Sequence, residues 1–253
     1  MKDILRKVYH HYYRFSQVSI LGRVACLGNE ILGRLKLEKG LINHQKSRID
    51  FLLELDKNTT IYTSASIVYP FLQRTYIIGT IEQQKSNFFN KRKPNLIFLD
   101  SFSELTDQLF VNKKTGKKFL ANYSDISHNN SFNAAYNCLG LLPLEELESY
   151  YEKFFNKLFE VYPQTNVFFI HFPTTLEKRD KFCIRGQSII KIIDTLSKVY
   201  PYLYSISIDD SLVFKSDDES DELKDFPYHY SEITYSAFVD KIWNILVHKK
   251  ILQ

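Results

Sequence analysis

Residues 94–104 read PNLIFLDSFSE, the clearest strand signal in the chain. Asn95 to Leu99 is an apolar run with no alternation, opened by Pro94 and closed by the polar block Asp100-Ser101. A run of that kind suits a strand buried on both faces, as in a parallel sheet covered by helices. Working outward, Thr59–Thr63 (TTIYT) and Tyr76–Gly79 (YIIG) read as earlier strands, and Asn166–His171 (NVFFIH) and Tyr204–Ile208 (YSISI) as later ones. Between them lie helical patterns over 65–73, with Pro70 as an internal fault, and over 144–162, 186–200 and 232–248. Glu145, Glu146 and Glu148 stand early in the second of these, where the helix dipole favours anions, and Ser231 can cap the last. Strands alternating with helices predict an α/β fold with a doubly wound, mainly parallel five-stranded sheet.

Composition places this fold in an ordinary globular protein. The chain has 253 residues, 44% apolar and 25% charged, with an unusual load of 17 Tyr and 20 Phe that fits a thick core or a sugar-stacking groove. Cys26, Cys138 and Cys183 are three widely spaced cysteines, so neither a disulfide framework nor a zinc knuckle is suggested, and they read as buried thiols. The charged, aromatic start and the absence of a long apolar run predict a cytoplasmic protein. A net charge of +4 is too mild to imply nucleic acid. Its distribution is uneven, because residues 1–50 hold ten Lys or Arg against four Asp or Glu. Residues 1–55 therefore read as a basic helical extension packed on an α/β domain over 56–253, and a peripheral contact with the inner membrane face or an assembly complex is the functional reading of its charge.

In open parallel sheets the site lies beyond the carboxyl ends of the strands. That rule selects Ser64 and Ala65 after the first expected strand, Gly79 after the second, Asp100 and Ser101 after the third, His171 after the fourth, and Asp209 and Asp210 after the fifth. Arg179 and Arg185 follow the fourth strand and suit an anionic substrate. Acyl transfer through serine needs a hydroxyl, an imidazole to take its proton and a carboxylate to orient the ring. Ser64, His229 and Asp225 supply these types, with Ser66 competing for the first role. Asp100 and Glu104, four apart, read as an acid/base pair, a metal site or, with no histidine nearby, a cap of the following helix.

The order of these blocks resembles the SGNH (GDSL-type) hydrolase superfamily, on Ser64, Gly79, the run 94–104 and the run DFPYHYSEITYSAFVDKIW from Asp225 to Trp243. It is similar also to divergent members found in bacterial capsule and surface-polysaccharide loci. The sequence departs from the family in carrying TSAS where a Gly-Asp-Ser block is usual, in a four-residue Asp-to-His spacing, and in lacking an Asn at the third block, so that either Asn87 or Asn122 substitutes or the oxyanion hole depends on backbone N–H groups alone. The resemblance implies an O-acetyl transferase or esterase acting on a surface polysaccharide or sugar precursor, with acetyl-CoA as donor, no bound cofactor or metal, and an oxyanion held by backbone N–H groups near Ala65 and Gly79. Two rival readings are a glycosyl or phosphoryl transferase holding a metal at Asp209 and Asp210, and a non-catalytic module that binds glycan or an assembly partner.

Overall fold

A computed structural model describes residues 18–217 and 227–251. In chain order the elements are β1 (Ile20–Arg23), α1 (Cys26–Arg34), β2 (Leu41–Asn43), α2 (Ile49–Lys57), α3 (Ala65–Val68), α4 (Ile78–Gln83), β3 (Leu96–Asp100), α5 (Phe102–Thr106), β4 (Asp107–Asn112), β5 (Lys118–Asn122), α6 (Asn130–Ala135), β6 (Tyr136–Gly140), α7 (Leu147–Val161), β7 (Asn166–Ile170), α8 (Asp180–Val199), β8 (Leu203–Ile206) and α9 (Glu232–His248). The described residues fall into two units, one of residues 18–43, 93–100, 164–217 and 227–251, the other of residues 44–92 and 101–163.

The first unit holds a five-stranded sheet of order β2-β1-β3-β7-β8, parallel throughout. Every residue of β1 and β3 is buried, so both faces of the sheet are covered, as the unbroken apolar run at 96–99 requires. Phe98, Phe168 and Tyr204 are in register across three strands and stack with centroids 5.0 and 5.1 Å apart. Each such pair adds about 0.5–1.5 kcal/mol beyond its buried area. Helices α1 and α9 pack on each other, and Arg34 of α1 lies 4.6 Å over the ring of Tyr235 in α9.

Two of the five expected strands are corrected. Thr59–Thr63 lies in no sheet and contributes one isolated bridge from Tyr62 to Lys118. The stretch 76–79 is a 3-10 turn running into α4, because Ile77 and Ile81 are buried one helical turn apart. Their places are taken by β1 and β2, which lie inside the expected basic extension. Residues 1–17 of that extension are outside the described residues, and within 20–43 the chain forms β1, α1 and β2. Gly22 allows β1 and β2 to approach, since a Cβ there would meet Leu41 Cδ1 at 2.4 Å. Gly40, just before β2, is tighter: a Cβ would sit 1.8 Å from the Val18 carbonyl oxygen, a backbone atom. Gly40→Ala is expected to lower Tm by about 5 °C or more, read by a thermal melt, because backbone must move to admit the methyl.

The second unit contains a three-stranded antiparallel sheet, β5-β4-β6. Phe110 and Phe119 are paired across β4 and β5 and stack at 5.0 Å. They pack with Val68, Ile81, Ile126, Phe132 and Tyr136 into a core of their own. Among the described residues no helix is long and apolar enough to cross a membrane.

Candidate functional site

The strand order reverses direction at β1, with β2 on one side and β3 on the other, and the crevice beyond the carboxyl ends of β1 and β3 is where such sheets bind ligands. The chain turns there from β1 into α1 through Val24 and Ala25. Asn43, ending β2, holds that turn from one side, its Oδ1 accepting from the Val24 N–H at 3.0 Å and its Nδ2 donating to the Val24 carbonyl at 2.9 Å. Asp100, ending β3, holds it from the other, its Oδ2 accepting from the Ala25 N–H at 2.5 Å. Arg23, 1% exposed, donates to the Asp100 carbonyl at 2.8 Å. Asp100 thus ties strand to turn through the Ala25 amide.

The first residue of α1 is Cys26, which keeps partly exposed surface. Its thiol donates to the Tyr228 carbonyl, 3.7 Å away and 202 residues later in the chain. Burial, with the nearby Asp100 charge, pushes the thiol up to about 12, although the amides of Leu27 and Cys26 act the other way. The thiol is therefore neutral at rest. Next to Tyr228 stands His229, whose carbonyl accepts from the Ser216 N–H at 3.1 Å, and three residues further α9 begins. Sequence distance hides this convergence, and the structure makes it through the α1–α9 packing.

Tyr228 is itself anchored. Its hydroxyl donates to Glu177 Oε2 at 2.7 Å, and its ring meets Phe172 edge-on at 5.5 Å. Arg179 forks onto the same carboxylate, Nε to Oε1 and Nη2 to Oε2, both at 2.7 Å, while its own N–H donates to Oε1 at 2.9 Å. Burial raises the Glu177 carboxyl, but the donors from Arg179 and Tyr228 outweigh it and hold the group at about 2.

The other expected site residues are placed as follows. Ser64, in the second unit, precedes the four-residue α3, makes no capping bond, and shares a hydrogen bond of 2.9 Å with Ser66. It follows no sheet strand. Ala65, Ser66 and Gly79 do come together, lining a shallow groove with Tyr69, Ile78 and Glu82, and the Ala65 N–H donates to Glu82 at 3.3 Å. Asp225 lies outside the described residues. Ser101 is buried at the N-terminal position of α5. His171 is a core histidine: burial lowers it to about 4, and its neutral ring bonds Ser205 Oγ at 2.9 Å through Nε2. Because Ser205 gives its own proton to Asp194 at 2.5 Å, the His171 Nε2 is the donor. Arg185 is buried within α8, so it offers no fork to an anion at the surface.

Glu104 accepts from the Ile49 N–H at 3.0 Å and the Tyr151 hydroxyl at 3.1 Å. Asn87 and Asn122 are spent on local structure, the first on Asp56 and the Phe89 N–H, the second in a capping box with Asp125. Asp209 caps its own 3-10 turn and Asp210 accepts from the Thr175 hydroxyl at 2.7 Å. Among the described residues no three His, Cys, Asp or Glu side chains gather as a metal site would need. Ser231, at the N-terminal position of α9, makes no capping bond to the helix. The sequence marks Cys26 only as a thiol and does not mark Glu177 or Tyr228, because β1, and with it the turn that Cys26 follows, carries no clear strand signal.

No family model and no curated protein matches the chain. One solved structure of similar form is the acetyl xylan esterase Est2A from the rumen bacterium Butyrivibrio proteoclasticus, at 10% identity and a TM-score of 0.38, over 92% of this chain. The chain spans 64% of that protein's length.

Proposed function

We propose that the chain is an SGNH-like acyl-transfer enzyme whose nucleophile is Cys26 and whose proton acceptor is His229. The observation that carries this reading is the hydrogen bond from the Cys26 thiol to the Tyr228 carbonyl, because it sets the one nucleophilic side chain of the β1–α1 turn beside the residue that bears the imidazole. A thiol that is neutral at rest needs a base during attack, as a serine hydroxyl does. The Cys26 sulfur attacks the acyl carbonyl carbon as its proton passes to His229. Charge then builds on the carbonyl oxygen, towards the first amides of α1. The bond to the leaving group breaks, the leaving group takes the proton from the imidazole, and an acyl thioester remains on Cys26. An acceptor hydroxyl gives its proton to His229, attacks the thioester and restores the thiol.

The acyl group is acetyl, supplied by acetyl-CoA, and the acceptor is a sugar hydroxyl of a surface polysaccharide or its precursor; this assignment rests on the resemblance of the sequence blocks alone. Turnover of p-nitrophenyl acetate by purified variants tests the centre. Cys26→Ala is expected to fall to the buffer rate while Ser64→Ala keeps the wild-type rate. Full activity in Cys26→Ala, with loss in Ser64→Ala, would return the nucleophile to Ser64.

A further inference from the structure

Three hydrogen-bonded links run through the first unit from the surface to the thiol. Arg179, half exposed, forks onto Glu177; Glu177, its side chain 3% exposed, accepts from the Tyr228 hydroxyl; and the Tyr228 carbonyl accepts from Cys26. Arg179 also lies 4.1 Å over the Phe182 ring, which fixes the outer end of the series on α8. The series joins the loop after β7 to the segment before α9. Fork geometry matters here, because two parallel bonds fix the carboxylate plane as well as its position. An ionised carboxylate then accepts from a phenol more strongly than a neutral group would.

We infer that Glu177 is a positioning residue: by holding the Tyr228 hydroxyl it fixes the carbonyl that restrains Cys26 and the backbone that carries His229. The inference rests on the proposed Cys26–His229 centre for its catalytic consequence, though not for its effect on the thiol. Releasing Tyr228 frees Cys26 from its acceptor and lets the segment before α9 drift, so the thiol becomes more reactive while the base is less well placed.

The test is iodoacetamide alkylation of the native full chain, resolved by peptide mass spectrometry, for wild type, Glu177→Gln and Tyr228→Phe. Exposed Cys138, in the second unit, is the internal reference. Cys183, whose thiol contacts the Glu177 backbone carbonyl at 3.3 Å, reports general loosening of that loop. Both substitutions are expected to speed Cys26 alkylation about tenfold relative to Cys138, with Cys183 unchanged. Ester turnover in the same variants is expected to lose kcat with KM held, and Glu177→Asp to recover part of it. Unchanged Cys26 alkylation in both variants would overturn the inference, as would a joint rise of Cys26 and Cys183. If the alkylation result holds but wild type turns over no ester, the acyl-transfer reading fails and the positioning role stands.

Discussion

Replacing Lys46 by methionine is expected to destabilise the second unit by about 3–5 kcal/mol, the usual cost of removing one partner from a buried charge cluster. Its ammonium lies 2.8 Å from Asp125 Oδ2 and 3.5 Å from Asp107 Oδ1, with all three side chains under a tenth exposed. Arg74 also reaches Asp125, at 3.4 Å, but is 42% exposed and remains in water's reach. Methionine conserves volume and leaves two carboxylates facing each other across an apolar group. Burial already raises Asp107 above its usual 3.8, a shift that Lys46 restrains, so the substitution raises it further. Between 3.8 and the raised value the folded state binds more protons than the unfolded one, and stability falls as pH rises through that window. Urea unfolding should therefore show a larger deficit for Lys46→Met at pH 7 than at pH 5, and Asp107→Asn added to Lys46→Met should recover part of it. The need for this ammonium explains why Lys46 tolerates a φ of +57°, a conformation that costs a side chain about 1–2 kcal/mol.

His229→Asn is expected to reduce ester turnover by about 100-fold to 10,000-fold, the range in which a positioned general base contributes. Asparagine keeps similar bulk and hydrogen-bonding capacity but cannot take a proton. The backbone there is held independently, by the Ser216 N–H on the His229 carbonyl and by the bridge of Tyr230 to Lys215, so folding should survive. Wild-type turnover in the variant would mean that another group takes the proton.

The parts of the fold that could be read from sequence are those where one physical signal acted alone. Leu96–Leu99 and Val167–Ile170 are unbroken apolar runs and form the strands they predict; α9 begins and ends where its apolar spacing does. The misreadings have specific causes. Ile20–Arg23 mixes two apolar residues with Gly22 and Arg23 in a cation-rich segment, and its burial depends on Arg23 reaching the Asp100 carbonyl, a tertiary contact. Tyr76–Gly79 looks β-rich over four residues, yet Ile77 and Ile81 recur at helical spacing once the window is extended. His229 stands shortly before α9, as the sequence reads. The place of Cys26 at the start of α1 is not legible, because only the neighbouring β3, with Asp100 on the Ala25 amide, identifies the turn it follows.

The most direct measurement of the central claim is to mix the protein with p-nitrophenyl acetate, quench in acid within the first turnover, digest with trypsin and locate the acetyl group. Cleavage after Arg23 and Arg34 releases peptide 24–34, in which Cys26 is the only cysteine, and cleavage after Lys57 and Arg74 releases 58–74 with Ser64. An acetyl group on peptide 24–34, absent in Cys26→Ala and slow to form in His229→Asn, is the result predicted. Acetyl on peptide 58–74, or on neither peptide while ester is consumed, would contradict a reacting centre at the β1–α1 turn.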